Sequence, residues 1–192
     1  MVKQRIDLDD VINSATRFVD SDGLDELALG KVADDLGVRT SALYNHVEGV
    51  DGLRQVLSSQ SSENLTELLR DAAVGRAGAD ALEEIARTYR QFAHEHSGQY
   101  ASTLLPAGSA VEGATEPQAE IVRVIARILE GFGIDGDQAI HGARIVRSAI
   151  HGFVTLEATG SFVHPQDRDE SFAALVDFLV AGLDAGLLAG NT

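Results

Sequence analysis

Residues Leu36 to Val47 read LGVRTSALYNHV. This short span holds a glycine, two hydroxyls, an arginine, a tyrosine, an asparagine and a histidine, spaced as one turn and one helix. Such a set suits contact with a polyanion, yet the 192-residue chain carries 30 acidic against 15 basic side chains, a net charge of −15. The flanking residues show how so polar a stretch is held in place.

Extended to residues 29–47, the segment is LGKVADDLGVRTSALYNHV. Ala33 falls where two helices must cross closely, which demands a small side chain. Gly37, four residues later, admits the positive φ of a tight turn. Leu36, Val38, Leu43 and Val47 form an apolar plug between the two helices. Thr40 or Ser41 is expected to cap the second helix, with hydroxyls and backbone N–H groups at its front end. A recognition helix enters the major groove in that arrangement. An ordinary helical hairpin shares the spacing, and the spacing alone does not choose between them.

The rest of the chain reads as helix. Apolar residues make up 44% of it, enough for a packed core, and Ala, Leu and Val dominate. From Asp7 to Asp20 the apolar positions are Leu8, Val11, Ile12, Ala15, Phe18 and Val19, one stripe at helical period. Further helices are predicted over about Val50–Ala73, Asp80–His96, Gly98–Leu105, Pro117–Phe132, Gly136–Thr159 and Asp167–Ala189. The run Pro106–Pro117, small, polar and bounded by prolines, reads as a mobile loop. No alternating strand pattern stands out, so the fold class is all-α. A three-helix helix-turn-helix unit over 1–50, linked through the helix about 50–73, is expected to precede a helical bundle over 74–192. The glycines of VGRAGAD, Val74 to Asp80, mark the candidate boundary.

The chain has no cysteine, which excludes disulfides, thiolate zinc sites and cysteine nucleophiles and fits a cytoplasmic location. The opening MVKQRIDLDD turns acidic before any apolar run develops, so no secretory signal is expected. No apolar run approaches the roughly 20 residues of a membrane span. His94-Glu95-His96 invites a metal reading, but residues two apart on a helix face different ways, and neither metal nor cofactor is expected. No phosphate loop, serine elbow or paired-carboxylate geometry supports an enzyme.

Over residues 6–57 the sequence resembles the tetracycline-repressor (TetR) family of bacterial transcription regulators. The likeness rests on a first amphipathic helix followed by LALGKVADDLGVRTSALYNHVEGVDGLRQVL, with Leu43-Tyr44-Asn45-His46-Val47 as the core of the short third helix. It implies a DNA-binding repressor acting as a homodimer on a palindromic duplex operator and answering to a small-molecule effector. Arg39, Thr40, Ser41 and Ala42 would then face base edges or phosphates, Tyr44 a phosphate, with Asn45 and His46 beside it and Lys31 in the same contact set. Two-pronged bonds would let Arg39 read guanine and Asn45 adenine, and Ala42 would meet a thymine methyl. Leu43 and Val47 belong to the core. The family commonly has lysine where this chain has Val50. Residues 1–55 hold six basic side chains (Lys3, Arg5, Arg17, Lys31, Arg39, Arg54) against eleven acidic ones. Lys3 and Arg5 suit either an N-terminal arm on the DNA or a solvated tail.

In the C-terminal part, Ile150-His151-Gly152 is similar to the Trp/His-His-Gly signature of one TetR subgroup, departing at its first position. Gly152 within a helix costs about 1 kcal/mol relative to alanine, which a close crossing or an approaching ligand would explain. An effector pocket is expected from Phe92, His96, Tyr100, Leu104, His141, Arg144 and His151, aromatic or polar groups that interrupt apolar stripes. The last two helices would form the dimer, with Val146, Ile150, Phe172, Leu175, Val176, Leu179 and Leu183 at the interface. The last helix is apolar on two sides, which calls for a second partner or deep burial in one chain. Two alternatives remain: a helical interaction module that has lost DNA binding, and a helical-bundle enzyme.

Overall fold

The computed structural model describes residues 6–105 and 116–186. Helix α1 (Leu8–Asp22) begins at a reciprocal cap: the Asp7 carboxylate accepts from the Asp10 backbone N–H at 2.9 Å, and the Asp7 N–H donates to the Asp10 carboxylate at 3.0 Å. Its buried face, Val11, Ala15 and Val19, follows the sequence stripe. Then come α2 (Leu29–Asp35), α3 (Thr40–Leu43), α4 (Gly49–Ala73), α5 (Gly78–Glu95), α6 (Ser97–Ser102), α7 (Glu116–Leu129), α8 (Gly136–Ala158) and α9 (Arg168–Asp184). Among the described residues there is no strand. None of their helices is long and apolar enough to cross a membrane. The core of the loop read at Pro106–Pro117, residues 106–115, lies outside the described residues, as do Lys3 and Arg5.

The chain forms two compact units: Met1–Asn64 with Glu95–Gln118, and Leu65–His94 with Ala119–Thr192. Helix α4 supplies residues to both, and α6 belongs with the first. That first unit is built around Val11, Ala15, Val19, Leu27, Val32, Ala33, Leu43, Leu53 and Leu57. Val50, standing where lysine is common, is half-buried and packs against this cluster.

Two features fix α1 on α6. Gly98 lies so close to the α1 backbone that a Cβ there would sit 2.0 Å from the Val19 carbonyl oxygen. The Asp20 carboxylate accepts from the Gln99 backbone N–H at 2.9 Å and from Gln99 Nε2 at 2.7 Å, and lies 3.2 Å from His96 Nδ1. Gln99 in turn accepts from Asn64 Nδ2 at 3.0 Å, which brings α4 into the same polar chain.

The second unit packs α5 (Leu82, Ile85, Tyr89, Phe92), α7 (Ile121, Ile125, Leu129), α8 (Val146, Ile150, Val154) and α9 (Phe172, Val176, Leu179, Leu183), all buried at three- and four-residue spacing. Among the described residues, one acid is buried with them. Glu157 on α8, 7% exposed, accepts from Arg90 Nε at 2.9 Å and Nη2 at 2.6 Å, with His94 Nε2 at 2.7 Å. Arg90 also reaches Asp169 at 2.8 Å and lies 4.8 Å over the Phe172 ring. The arginine thus ties α5 to α8 and α9. Its two bonds hold the Glu157 carboxyl down at about 2, from an ordinary 4.5, against the opposing effect of burial and with further help from His94.

Two outcomes follow from these contacts. Gly98→Ala should cost on the order of 3 kcal/mol in urea unfolding, since backbone must move, whereas Gly30→Ala, with open space at its Cβ, should lie between neutral and about 1 kcal/mol stabilising. Equal effects would dismiss the close approach. A carboxylate whose pKa falls on folding stabilises the fold fully above its unfolded value, 4.5, and less as pH drops toward about 2. Urea midpoints should therefore decline over that window, by on the order of 3 kcal/mol from this group, and Glu157→Gln should flatten the decline.

Candidate nucleic-acid interface

The α2–α3 turn closes as the glycine predicts. Gly37 has φ +66°, its N–H donates to the Asp34 carbonyl at 3.1 Å, and the Val38 N–H donates to the Ala33 carbonyl at 2.9 Å. That pair of bonds is a Schellman closure, which satisfies the last carbonyls of α2 and turns the chain. Ala33 is 1% exposed at the crossing, and Leu43 and Val47 plug the space beneath. Helix α2 is also held to α1 from outside its apolar face: Asp35 accepts from Ser14 and, at 3.0 Å, from Arg17. Ser14 first and Arg17 second lower the Asp35 pKa.

The expected hydroxyl cap is corrected. Arg39 is extended and occupies the N-cap position, so Thr40 and Ser41 are the first two helical residues and no side chain caps α3. Helix α3 is a single α turn, continued as hydrogen-bonded turns in which the His46 and Val47 N–H groups donate to the Leu43 carbonyl at 2.9 and 3.0 Å. Freed from capping, both hydroxyls face solvent together with Arg39, Tyr44 and Asn45; Ala42 and His46 are half-buried. Tyr44 keeps 62% of its surface exposed, a poor use of a large ring unless it meets a partner. Lys31 is exposed as well, but it bonds Glu26 at 2.9 Å and lies 5.0 Å over the Phe18 ring.

The cations of the first unit divide sharply. Arg17 pairs with Asp35, Lys31 with Glu26, and Arg54 lies 3.5 Å from Asp51. Arg39 alone has no carboxylate partner among the described residues of that unit. Its charge is available at the front of α3, beside two hydroxyls and a phenol. Two helices locked by a glycine turn, the second presenting these groups to solvent, define a helix-turn-helix DNA-binding protein.

Comparison with known proteins gives the family. Residues 82–179 match the model of the tetracyclin repressor-like C-terminal domain. An uncharacterized HTH-type transcriptional regulator of Mycobacterium tuberculosis is 34% identical, over 98% of this chain and 86% of its own length. Another, from Bacillus subtilis, is 28% identical over 94% of this chain and 92% of its own. Among solved structures, a variant of TetR from Acinetobacter baumannii AYE in complex with minocycline superposes with a TM-score of 0.70 at 22% identity, covering 94% of this chain and 98% of that one. The chain belongs to the TetR family of transcriptional regulators.

The residues expected to line an effector pocket divide between the two units. His96, Tyr100 and Leu104 fall in the first unit, and Phe92, His141, Arg144 and His151 in the second. Phe92 and Tyr100 are buried, while Leu104, His141 and Arg144 are exposed. His96 meets Asp20, and His94 meets Glu157. His151 is half-buried, and burial, with Arg147 second, lowers its pKa.

The expected dimer stripe is corrected. Val146, Ile150, Phe172, Val176, Leu179 and Leu183 are each no more than 9% exposed within the single chain, and Leu175 is half-buried. They form the core of their own unit and account for one of the two apolar sides of α9. The outward apolar groups are instead Ile145 and Leu156 on α8 and Phe178 on α9, 51%, 47% and 77% exposed.

Burial separates contact groups from supports in this head. Leu43→Ala should cost about 2–5 kcal/mol of stability. Arg39→Ala and Tyr44→Ala should stay within about 0.5 kcal/mol of the parent. Urea denaturation checks both, and a large loss at Tyr44 would make it a core residue.

Proposed function

We infer that the protein is a ligand-responsive repressor that binds a palindromic operator as a homodimer. The observation that carries this reading is Arg39, an exposed cation without a carboxylate partner at the start of α3, in a unit whose other described cations are committed. Arg39, Thr40, Ser41 and Ala42 meet base edges or phosphates, Tyr44 donates its phenol to a phosphate, and Asn45 and His46 lie beside it. Lys31 reaches the backbone only by releasing Glu26.

Dimerisation is supported by the outward faces of α8 and α9, which pack together. Ile145, Ala149, Gly152 and Leu156 recur at four-, three- and four-residue spacing, hence on one face of α8. Among the described residues, nothing beyond the adjoining backbone of α8 itself comes within 4 Å of a Cβ at Gly152. No crossing among the described residues therefore requires that glycine, whereas the close approach of a second copy would. Covering Phe178 would return about 1.5–3 kcal/mol per copy. A two-fold pair presents two α3 heads, matching half-sites about 34–36 Å apart. An effector is inferred from the minocycline complex of the Acinetobacter relative. It acts by binding more tightly to the conformation with mispositioned heads, typically worth about 1–3 kcal/mol.

Selection of duplexes from a random pool by the purified protein should yield a palindrome. On that sequence, Arg39→Ala and Tyr44→Ala should each weaken binding by about 1–3 kcal/mol. The salt dependence should be shallower than for proteins that neutralise six to ten phosphates, which lose about 10³–10⁵ in affinity between 50 and 200 mM. Phe178→Glu should give a monomer by light scattering. Unchanged operator binding by Arg39→Ala would remove this recognition surface, and a monomeric parent at micromolar concentration would remove the dimer.

A further inference from the structure

A cavity of about 360 Å³ opens in the second unit where the end of α4, the start of α5 and the end of α7 meet. Its size is at the lower end of pockets that hold small organic ligands, about 300–1,000 Å³. The charged residues lining it are Arg70, Arg76 and Arg127, with no carboxylate among them, in a chain of net charge −15. The remaining wall is apolar, chiefly Val74, Val124 and Ile128, and Val74 is 72% exposed.

The surrounding charges leave a positive surplus. Arg70 and Arg123 share Glu120, and Arg87 bonds Glu84. Arg76 bonds the Ala72 carbonyl at 3.0 Å and lies 3.8 Å from Asp80 and 3.7 Å from Glu84, too far for hydrogen bonds to either. Arg127 has no carboxylate partner among the described residues. Arg76 and Arg127 thus bring charge to the cavity that no carboxylate takes up by a hydrogen bond among the described residues. The carbonyl ends of α4 and α7 offset roughly half a charge each, and the site stays cationic. The frame is stiff on one side: a Cβ at Gly131, a lining residue, would lie 2.5 Å from the Gly78 backbone nitrogen. Backbone packed on backbone there sets the distance between α5 and α7.

We propose that this cavity binds a small organic oxyanion, a carboxylate or phosphate monoester, with its head on Arg127 and Arg76 and its apolar body against Val74, Val124 and Ile128. Guanidinium forks match either head group by paired N–H···O bonds. The apolar wall asks for a hydrocarbon portion that an inorganic ion lacks. None of the residues Phe92, His96, Tyr100, Leu104, His141, Arg144 or His151 lines this cavity. Binding here is independent of whether the protein represses any gene.

Calorimetry on the full chain without DNA tests it, with octanoate, octyl phosphate, octanamide and inorganic phosphate as probes. Octanoate or octyl phosphate should bind with Kd of about 1 mM or tighter, with octanamide and inorganic phosphate at least about tenfold weaker. The head group that binds identifies the oxyanion. Arg127→Gln, at an exposed position, should fold normally and weaken binding about tenfold or more. Ala77→Phe, which keeps every arginine but fills the exposed edge of the cavity, should do the same. Absence of binding by both anionic probes overturns the site. So does equal binding of octanamide, equal binding of inorganic phosphate, or full retention of binding in both variants.

Discussion

The first unit depends on a contact that leaves no room for a side chain. Where α6 crosses α1, Gly98 meets the Val19 carbonyl, and the neighbouring Asp20 carboxylate takes up both the backbone and the side-chain N–H groups of Gln99. An aspartate near a helix end is ordinarily solvated and contributes little. Here it is saturated with donors from another helix, and an amide chain through Gln99 and Asn64 extends the link to α4. With α1 fixed, the Ser14–Asp35–Arg17 bonds fix α2 on it, and the Gly37 turn then fixes α3. The position of five exposed groups, Arg39, Thr40, Ser41, Tyr44 and Asn45, is inherited through this sequence of contacts.

The acidity of the chain also acquires a physical meaning. A protein with this net charge is repelled by DNA at long range, so binding must arise at short range from groups with little competition. Three of the four described Lys and Arg side chains of the first unit lie against neighbouring carboxylates, which weakens broad attraction to any duplex. What remains at α3 is one arginine among neutral donors. Such a surface favours fit over mere charge, since a misplaced duplex gains little from the rest of the protein.

Much of the architecture was legible because helical period is a local property. The stripe of α1 and the approximate spans of α5, α7, α8 and α9 can be read from the sequence, and Gly37 announces its own turn. Burial direction was less legible. Val146, Ile150 and Phe172 were expected at a surface between copies, yet period alone cannot say which of two apolar faces of a helix turns inward; Phe178, six residues beyond Phe172, is the one left outside. The cap was misplaced because Arg39 takes the extended conformation one residue before the hydroxyls. Asp20, Gln99 and Glu157 gave no signal by type, since their roles come from partners 35 to 79 residues away. Gly98 beside a buried glutamine was the one available hint of a tight crossing.

The brevity of α3 has a consequence for how such a protein changes over time. A single turn has almost no helical stability of its own, and its shape is imposed from below by Leu43, Val47 and the turn at Gly37. The residues that would touch a target therefore contribute little to folding, and those that fold contribute little to touch. On the proposed recognition surface, mutations at 39, 40, 41 and 45 would rewrite the preferred address on the chromosome while the molecule underneath keeps its shape. Divergence of targets among relatives would then run far ahead of divergence in structure.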